Sequence, residues 1–216
     1  MTPDTTTSTS LIIVSDFVCP WCYVGLREVE ALMERHALDI RFAPYLLDPS
    51  TPPEGKPRRP QSAPDAPPSA LELRGQSLGI TFSRGRTFTS NSMLAHQAQE
   101  FAAEYEADHP GMDPLAFHRL MFKAYFTDLE DVGKIDTILR IGAEAGLPGA
   151  ELREALESGR YEKQVEDGLA WARAVGVTAV PTFVFDERLG VVGAQGQCGL
   201  RAGARAGARA APVIAA

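Results

Sequence analysis

The feature that most constrains this chain is a Cys-Pro-Trp-Cys tetrapeptide, Cys19 to Cys22, which lies between an apolar run and a helical pattern. The run from Leu11 to Val14 predicts a buried strand, and the spacing of apolar residues after the tetrapeptide predicts a helix. The sequence therefore favours a β-strand that leads into an α-helix, with two cysteines at the junction. Two cysteines separated by two residues in that context are typical of a dithiol that cycles with a disulfide.

The two cysteines are expected to have different roles. Unpaired backbone N–H groups and the helix dipole stabilise a thiolate at a helix N-terminus, so Cys19 is predicted to be the exposed attacking sulfur. Cys22 lies one turn deeper and is predicted to be the resolving thiol that attacks a mixed disulfide on Cys19. Pro20 suits a first helical turn because it has no N–H, and Trp21 offers a flat apolar surface for substrate beside the sulfur.

The Cys-x-x-Cys spacing also occurs as half of a zinc site or as two inert buried thiols. A structural zinc site normally needs two more Cys or His ligands at comparable spacing. Cys198 is the one further cysteine, and the histidines form no pair at ligand spacing: His36, His96, His109 and His118. We therefore predict no metal and favour the redox dithiol.

A second motif lies far downstream, from Gly176 to Phe185. Proline has no N–H to give to a sheet, so Pro181 is predicted to mark the start of a strand that continues from Thr182. Only about 5–6% of X–Pro bonds are cis in folded proteins, so this segment alone favours a trans bond before Pro181.

Taken together, the two motifs resemble the thioredoxin superfamily, and the chain is similar to the DsbA-like FrnE group from about residue 11 to 195. Three stretches carry the closer resemblance: 15–25, 92–101 and 176–185. The resemblance implies an α/β, thioredoxin-like fold with an all-helical insertion, in which a cis-proline loop faces the dithiol. Pro181 would then be cis, and the backbone of Val180 would pair with a bound peptide or thiol ligand.

The chain, with 216 residues of which 44% are hydrophobic, has room for such an elaborated fold. Its predicted parts are the first half of the thioredoxin-like domain (1–48), a Pro-rich arm (49–69), the helical insertion (70–165), the second half of the domain (166–195) and an Ala/Gly/Arg-rich tail (196–216). The arm has too many prolines for a helix, which predicts a surface loop or, alternatively, a contact with substrate or another subunit. Repeated glycines predict a disordered tail in place of a closing helix.

Other polar residues near the motifs have open roles. Asp16 tunes the thiolate or relays a proton or, alternatively, accepts hydrogen bonds in the loop entering the helix. In thioredoxin and DsbA a buried acid lies where this chain has Ile13, so proton transfer to Cys22 must use Asp16, water or another group. For His96 we favour a surface or hydrogen-bonded position over catalysis. Cys198 is interpreted as a passive thiol, with an accessory exchange role as the alternative.

Charge and hydropathy exclude several classes of partner. The net charge is −7, and without the three tail arginines Arg201, Arg205 and Arg209 it is −10 for residues 1–200, which disfavours binding to nucleic acid. No stretch approaches the roughly 20 apolar residues of a membrane span, and the first residues lack the features of a signal peptide. We therefore expect no membrane contact and a cytoplasmic location. The oligomeric state is not predicted.

These features predict a thiol–disulfide oxidoreductase or isomerase that acts on protein thiols. The Cys19–Cys22 disulfide takes the place of a cofactor, and glutathione is an alternative co-substrate. The tetrapeptide does not fix the direction of exchange. Glutathione-dependent kappa-class transferases and 2-hydroxychromene-2-carboxylate isomerases share the architecture but typically have serine at the position of Cys19. A redox-responsive protein that binds client proteins is the non-enzymatic alternative.

Overall fold

A computed structural model of the protein describes residues 8–207, except for the side chains of residues 197, 198 and 205–207. The prediction for the Cys198 side chain and the predicted tail beyond Gly207 therefore lie outside the described residues. The strands are β1 (Thr9–Ser15), β2 (Leu38–Pro44), β3 (Lys56–Pro57), β4 (Phe88–Thr89), β5 (Thr182–Phe185) and β6 (Leu189–Val192). The helices are α1 (Pro20–Met33), α2 (Ala70–Gln76), α3 (Met93–Asp108), α4 (Ala116–Phe126), α5 (Ile135–Glu144), α6 (Gly149–Glu157), α7 (Glu162–Ala174) and α8 (Gly196–Gly207).

The main sheet has the strand order β2-β1-β5-β6, with β1 parallel to β2 and antiparallel to β5. Strand β1 is buried because its apolar side chains, among them Leu11, Ile13 and Val14, pack on both faces of the sheet. Since β1 lies between β2 and β5, the chain leaves the sheet at Ser15 from the C-terminal end of a central strand. The tetrapeptide follows directly and begins α1 there.

The helical insertion covers this edge of the sheet. Helices α2 to α7 all lie between β2 and β5 in the chain. The insertion and the thioredoxin-like part share one core, which also contains the two cysteines. Its aromatic rings are those of Phe17 and Tyr23, near the start of α1, and of Phe122 and Phe126 in α4. The predicted thioredoxin-like α/β fold with a helical insertion is confirmed.

The predicted boundary between residues 165 and 166 falls inside α7. This helix packs both on α3 of the insertion and on β2 of the sheet. Because one continuous helix belongs to both packing units, the chain offers no break at that point. The boundary stays a prediction.

The prediction of a disordered tail is wrong for Gly196–Gly207, which form α8. Leu200 is fully buried against Phe185, and a Cβ at Gly203 would meet the Phe185 ring at 2.5 Å. Leu200, Gly203 and Ala204 share one helix face. This face has a single large apolar residue, and the glycine allows the helix to approach the sheet closely.

None of the described helices is long and apolar enough to cross a membrane.

The Pro-rich arm folds back against the insertion. Its strand β3 pairs with β4, and the Arg84 guanidinium donates to four arm carbonyls: Ala63, Pro64, Ala66 and Pro67. Arg84 is itself held by Glu72 of α2 through two hydrogen bonds of 2.6 and 2.9 Å. Bidentate Arg–carboxylate pairs fix orientation, so the arm is tied to α2 although it has little regular structure.

Candidate active site

The dithiol lies at the N-terminus of α1. Cys19 is the N-cap residue, its N–H donates to the Asp16 carbonyl at 3.0 Å, and Pro20 occupies the first turn as expected. The first turn contains no acidic residue. The unpaired N–H groups and the positive end of the helix dipole are therefore directed towards Cys19.

The prediction that the Cys19 sulfur is exposed is wrong. Cys19 is only 4% exposed, and its thiol donates to the Val180 carbonyl over 3.7 Å. The loop before Pro181 covers the sulfur, whereas the neighbouring Trp21 side chain is 41% exposed. A substrate therefore meets Trp21 and the Val180 backbone before it reaches the sulfur.

The two cysteines are both buried free thiols, but their acidities differ. The pKa of Cys19 is lowered, first by a hydrogen bond from the Cys22 thiol and then by backbone N–H groups at Cys22 and Trp21. Burial and the negative charge of Asp16 oppose this lowering. The pKa of Cys22 is raised well above its ordinary value, mainly because the side chain is fully buried. Cys19 is therefore the thiol that ionises first.

The loop before β5 faces Cys19. The Val180–Pro181 peptide bond is cis, as the family resemblance implies. A Cβ at Gly25 would lie 3.0 Å from the Pro181 ring and 2.8 Å from the Phe183 ring, so α1 approaches this loop as closely as a glycine permits. The Val180 N–H donates to no other residue in the described part of the chain.

Asp16 joins three parts of the molecule through its buried carboxylate. It accepts hydrogen bonds from the N–H of Val18 at 3.2 Å, the N–H of Leu47 at 2.7 Å and the hydroxyl of Ser92 at 2.7 Å. These partners belong to the active-site loop, the chain after β2 and the residue before α3. Of the roles predicted for Asp16, the structure shows the hydrogen-bond acceptor and an effect on the thiolate, since the Asp16 charge raises the pKa of Cys19.

His96 is buried and hydrogen-bonded, so the surface position considered for it is wrong. Its Nε2 lies 3.2 Å from the Tyr45 carbonyl oxygen and 3.8 Å from Asp16 Oδ1. The ring also packs against Phe17. His96 therefore supports the loop that carries Asp16, and in the described structure it makes no hydrogen bond with either cysteine.

A buried polar chain behind Cys22 was not predicted from the sequence. A hydrogen bond from the Ser15 hydroxyl lowers the pKa of Cys22, which partly opposes the effect of burial. The Ser15 hydroxyl oxygen also lies 3.4 Å from Nε2 of His118, whose Nδ1 lies 3.0 Å from Gln99 Oε1. Because an amide oxygen only accepts, Nδ1 carries the hydrogen and Nε2 is an acceptor. The single Ser15 hydroxyl hydrogen is donated to Nε2 while Cys22 is protonated, and to the Cys22 sulfur when it is a thiolate.

The His118 ring is held neutral in this chain. Burial lowers its pKa well below the ordinary value, and the ring stacks on Phe42 with 3.9 Å between ring centroids. Ser15, His118 and Gln99 therefore place a neutral base within two hydrogen bonds of Cys22. Nothing in the sequence brings these residues together, since Ser15 and His118 are 103 positions apart.

The site residues predicted from the sequence are brought together except for Cys198, whose side chain lies outside the described residues. Cys19, Cys22 and Trp21 begin α1, and Val180 and Pro181 face them across the site. Within the part of the chain that the structure describes, no group of three or more His, Cys, Asp and Glu side chains is arranged to hold a metal ion.

Comparison with known proteins agrees with this geometry. Residues 10–202 match the family of DSBA-like thioredoxin domains. The uncharacterised protein YwbO of Bacillus subtilis is 27% identical over 190 residues, which span 86% of this chain and 90% of that protein.

Two solved structures share the fold. A probable DsbA oxidoreductase from Streptomyces coelicolor superposes with a TM-score of 0.79 at 23% identity, over 96% of this chain and 94% of that one. The cytosolic disulfide reductase DsbM from Pseudomonas aeruginosa, solved with GSH, gives 0.55 at 22% identity, over 81% and 84% of the two chains. With the family match over most of its length, this chain belongs to the DSBA-like thioredoxin domain family.

Proposed function

We propose that this protein is a cytoplasmic thiol–disulfide oxidoreductase or isomerase of the FrnE group that acts on protein thiols. One observation carries the proposal: the Cys19 sulfur, at the N-terminus of α1, faces the cis-proline loop and is hydrogen-bonded to the buried Cys22 thiol. The thiol with the lowered pKa faces the loop at Val180 and Pro181. A nucleophile and a protected resolving thiol are the two parts that disulfide exchange requires.

In the reductive direction, the Cys19 thiolate attacks one sulfur of a substrate disulfide. A Cys19–substrate disulfide forms, and the other substrate sulfur leaves as a thiolate. Cys22 then loses its proton and attacks the Cys19 sulfur, so that the Cys19–Cys22 disulfide forms and the second substrate thiolate is released. Two electrons pass from the dithiol to the substrate disulfide. Oxidation of substrate thiols is the same sequence in reverse.

Each remaining residue of the site has a role in this cycle. Trp21 and the free N–H of Val180 are proposed to bind the peptide on either side of the reacting sulfur. Pro20 starts the helix that stabilises the thiolate, and Asp16 fixes the loop before it. The Ser15 hydroxyl is proposed to stabilise the Cys22 thiolate when it attacks, with His118 holding the hydroxyl in place.

Glutathione is proposed as a second thiol partner, and the finding of GSH with the similarly folded DsbM supports this choice. The assignment to the FrnE group is supported by the three sequence stretches described above. The cytoplasmic location is proposed because cysteine pairs in that compartment are usually catalytic rather than structural.

Insulin reduction and reactivation of scrambled ribonuclease test the proposal, with the wild type compared with three serine variants. Cys19→Ser is expected to lose both activities, because no nucleophile remains. Cys22→Ser is expected to accumulate mixed disulfides that mass spectrometry detects. Cys198→Ser is the matched control and is expected to keep wild-type activity. Equal activity of the wild type and Cys19→Ser would contradict the proposal.

A further inference from the structure

A cavity of about 290 Å³ lies beside the dithiol and is not used by the cycle described above. Val18 and Pro20, the chain neighbours of Cys19, line it on one side. The arm lines it on another side with Pro60, Gln61 and Ser62. The cavity therefore adjoins the residues on both sides of Cys19, although Cys19 itself does not line it.

Arg86 in the wall of the cavity has a guanidinium without an acceptor. Its Nε and Nη1 atoms are buried and make no hydrogen bond within the described part of the chain. The guanidinium carbon lies 3.9 Å from the centroid of the Tyr125 ring and 5.2 Å from that of Phe126, so the group is held in place by stacking. Burial lowers the pKa of Arg86, because removing the charged guanidinium from water without an acceptor is unfavourable.

The groups around Arg86 do not neutralise its positive charge. Arg58 also lines the cavity, repels Arg86 and has no ion pair among the residues that the structure describes. The cavity does contain Glu72, but both of its carboxylate oxygens are bound by Arg84. Two arginines therefore face the cavity without a carboxylate, in a protein whose net charge is −7. A planar guanidinium fork is matched by a carboxylate, which accepts two parallel hydrogen bonds.

We propose that Arg86, assisted by Arg58, binds a carboxylate of the disulfide or thiol substrate while its sulfur reacts with Cys19. This inference rests on the proposed function and specifies the substrate class: thiols with a carboxylate near the sulfur. Glutathione and acidic peptide segments both have this chemistry. Because Arg58 belongs to the Pro-rich arm, the arm would contact substrate, which is one of the alternatives that the sequence left open for it.

The rates at which the reduced protein reacts with two small disulfides test this proposal. Glutathione disulfide has several carboxylates, whereas hydroxyethyl disulfide has no charge. The acidic protein as a whole repels glutathione disulfide, so a faster reaction with it requires a local positive site. We expect Arg86→Met to reduce the ratio of the two rates by about tenfold, which corresponds to the loss of one charged hydrogen-bonded contact. The rate with hydroxyethyl disulfide is expected to stay unchanged.

Matched variants separate this effect from a change in folding or in overall charge. Arg41→Met removes one positive charge from an exposed position on β2 and is expected to leave the ratio unchanged. Arg58→Met is expected to lower the ratio less than Arg86→Met. Arg86→Lys, which keeps the charge but not the fork, is expected to give an intermediate value and serves if Arg86→Met does not fold.

A pair of peptide disulfides with Glu or Gln beside the cysteine identifies the source of the carboxylate. If Arg86→Met no longer reacts faster with the Glu peptide than with the Gln peptide, the carboxylate belongs to acidic protein segments. If Arg86→Met loses only the faster reaction with glutathione disulfide, the carboxylate belongs to glutathione. A rate ratio that is the same in wild type, Arg86→Met and Arg58→Met would overturn the proposal. A protein that reacts with neither small disulfide would instead refute the proposed redox function.

Discussion

At the residue scale, the chemistry depends on the different surroundings of Cys19 and Cys22. Both sulfurs are buried, but only the Cys19 sulfur accepts hydrogen bonds from the N–H groups of α1, because Cys19 is the N-cap residue of that helix. Cys22 has instead the Ser15 hydroxyl, whose own partner is His118. Burial alone would raise both pKa values, so the local hydrogen bonds decide which thiol attacks.

Ser15→Ala is expected to slow the resolving step without affecting attack by Cys19. The variant removes a hydrogen bond that lowers the pKa of Cys22, so that pKa rises and the thiolate forms at higher pH. A hydrogen bond of about 1 kcal/mol corresponds to a rate decrease of about fivefold. Stopped-flow measurement of mixed-disulfide decay as a function of pH tests this, and Ser10→Ala at the far end of β1 is the control. An unchanged pH profile would remove Ser15 from the mechanism.

Asp16 acts on Cys19 in two opposed ways. Its charge raises the pKa of Cys19, while its hydrogen bonds hold the loop that places Cys19 at the start of α1. Asp16→Asn is expected to lower the pKa of Cys19 and also to reduce the free energy of unfolding by about 1–3 kcal/mol, because the amide presents an N–H group to buried donors. Alkylation rates and urea unfolding measure the two effects. A raised pKa of Cys19 in this variant would contradict the account.

Sequence reasoning identified the residues that are contiguous in the chain and missed those that folding brings together. The tetrapeptide and Pro181 are visible because their chemistry depends on local order. The burial of the Cys19 sulfur could not be predicted, because it depends on a carbonyl 161 positions away. Arg86 resembles any surface arginine until its position over Tyr125 is known.

At the element scale, helix α8 completes the cover on one face of the sheet. Its contacts involve Leu200 and two small residues, Gly203 and Ala204, which pack on Phe185 and Val191. The sequence pattern did not predict this helix, since a face made mainly of Gly and Ala has little hydropathy contrast with its surroundings. Shape rather than hydrophobicity makes this contact possible.

The packing of α8 predicts a clear difference between two substitutions. Leu200→Ala is expected to lower the free energy of unfolding by about 2–5 kcal/mol, because it leaves a cavity beside Phe185. Ala202→Gly, at an exposed position of the same helix, is expected to cost about 1 kcal/mol through helix propensity alone. Chemical denaturation measures both. Equal small effects of the two variants would mean that α8 does not pack on the sheet.

At the scale of the whole molecule, the insertion and the sheet jointly form one site. The thioredoxin-like part supplies Cys19 at the start of α1 and Pro181 before β5, and the insertion supplies His118 and the residues around Arg86. Asp16 links the two parts through Ser92. The fold class was predictable because strand, helix and proline motifs are local. The way in which the insertion closes over the dithiol was not, since it depends on packing among several helices.

The central claim is that Cys19 is the low-pKa nucleophile and Cys22 its protected partner. Alkylation of the reduced protein with iodoacetamide across the pH range, with each cysteine quantified by mass spectrometry, tests this claim most directly. We predict that Cys19 reacts with a midpoint below the value of about 8.5 for an unperturbed thiol, and that Cys22 stays unmodified there. Faster modification of Cys22 than of Cys19, or a Cys19 midpoint at or above that value, would contradict the account.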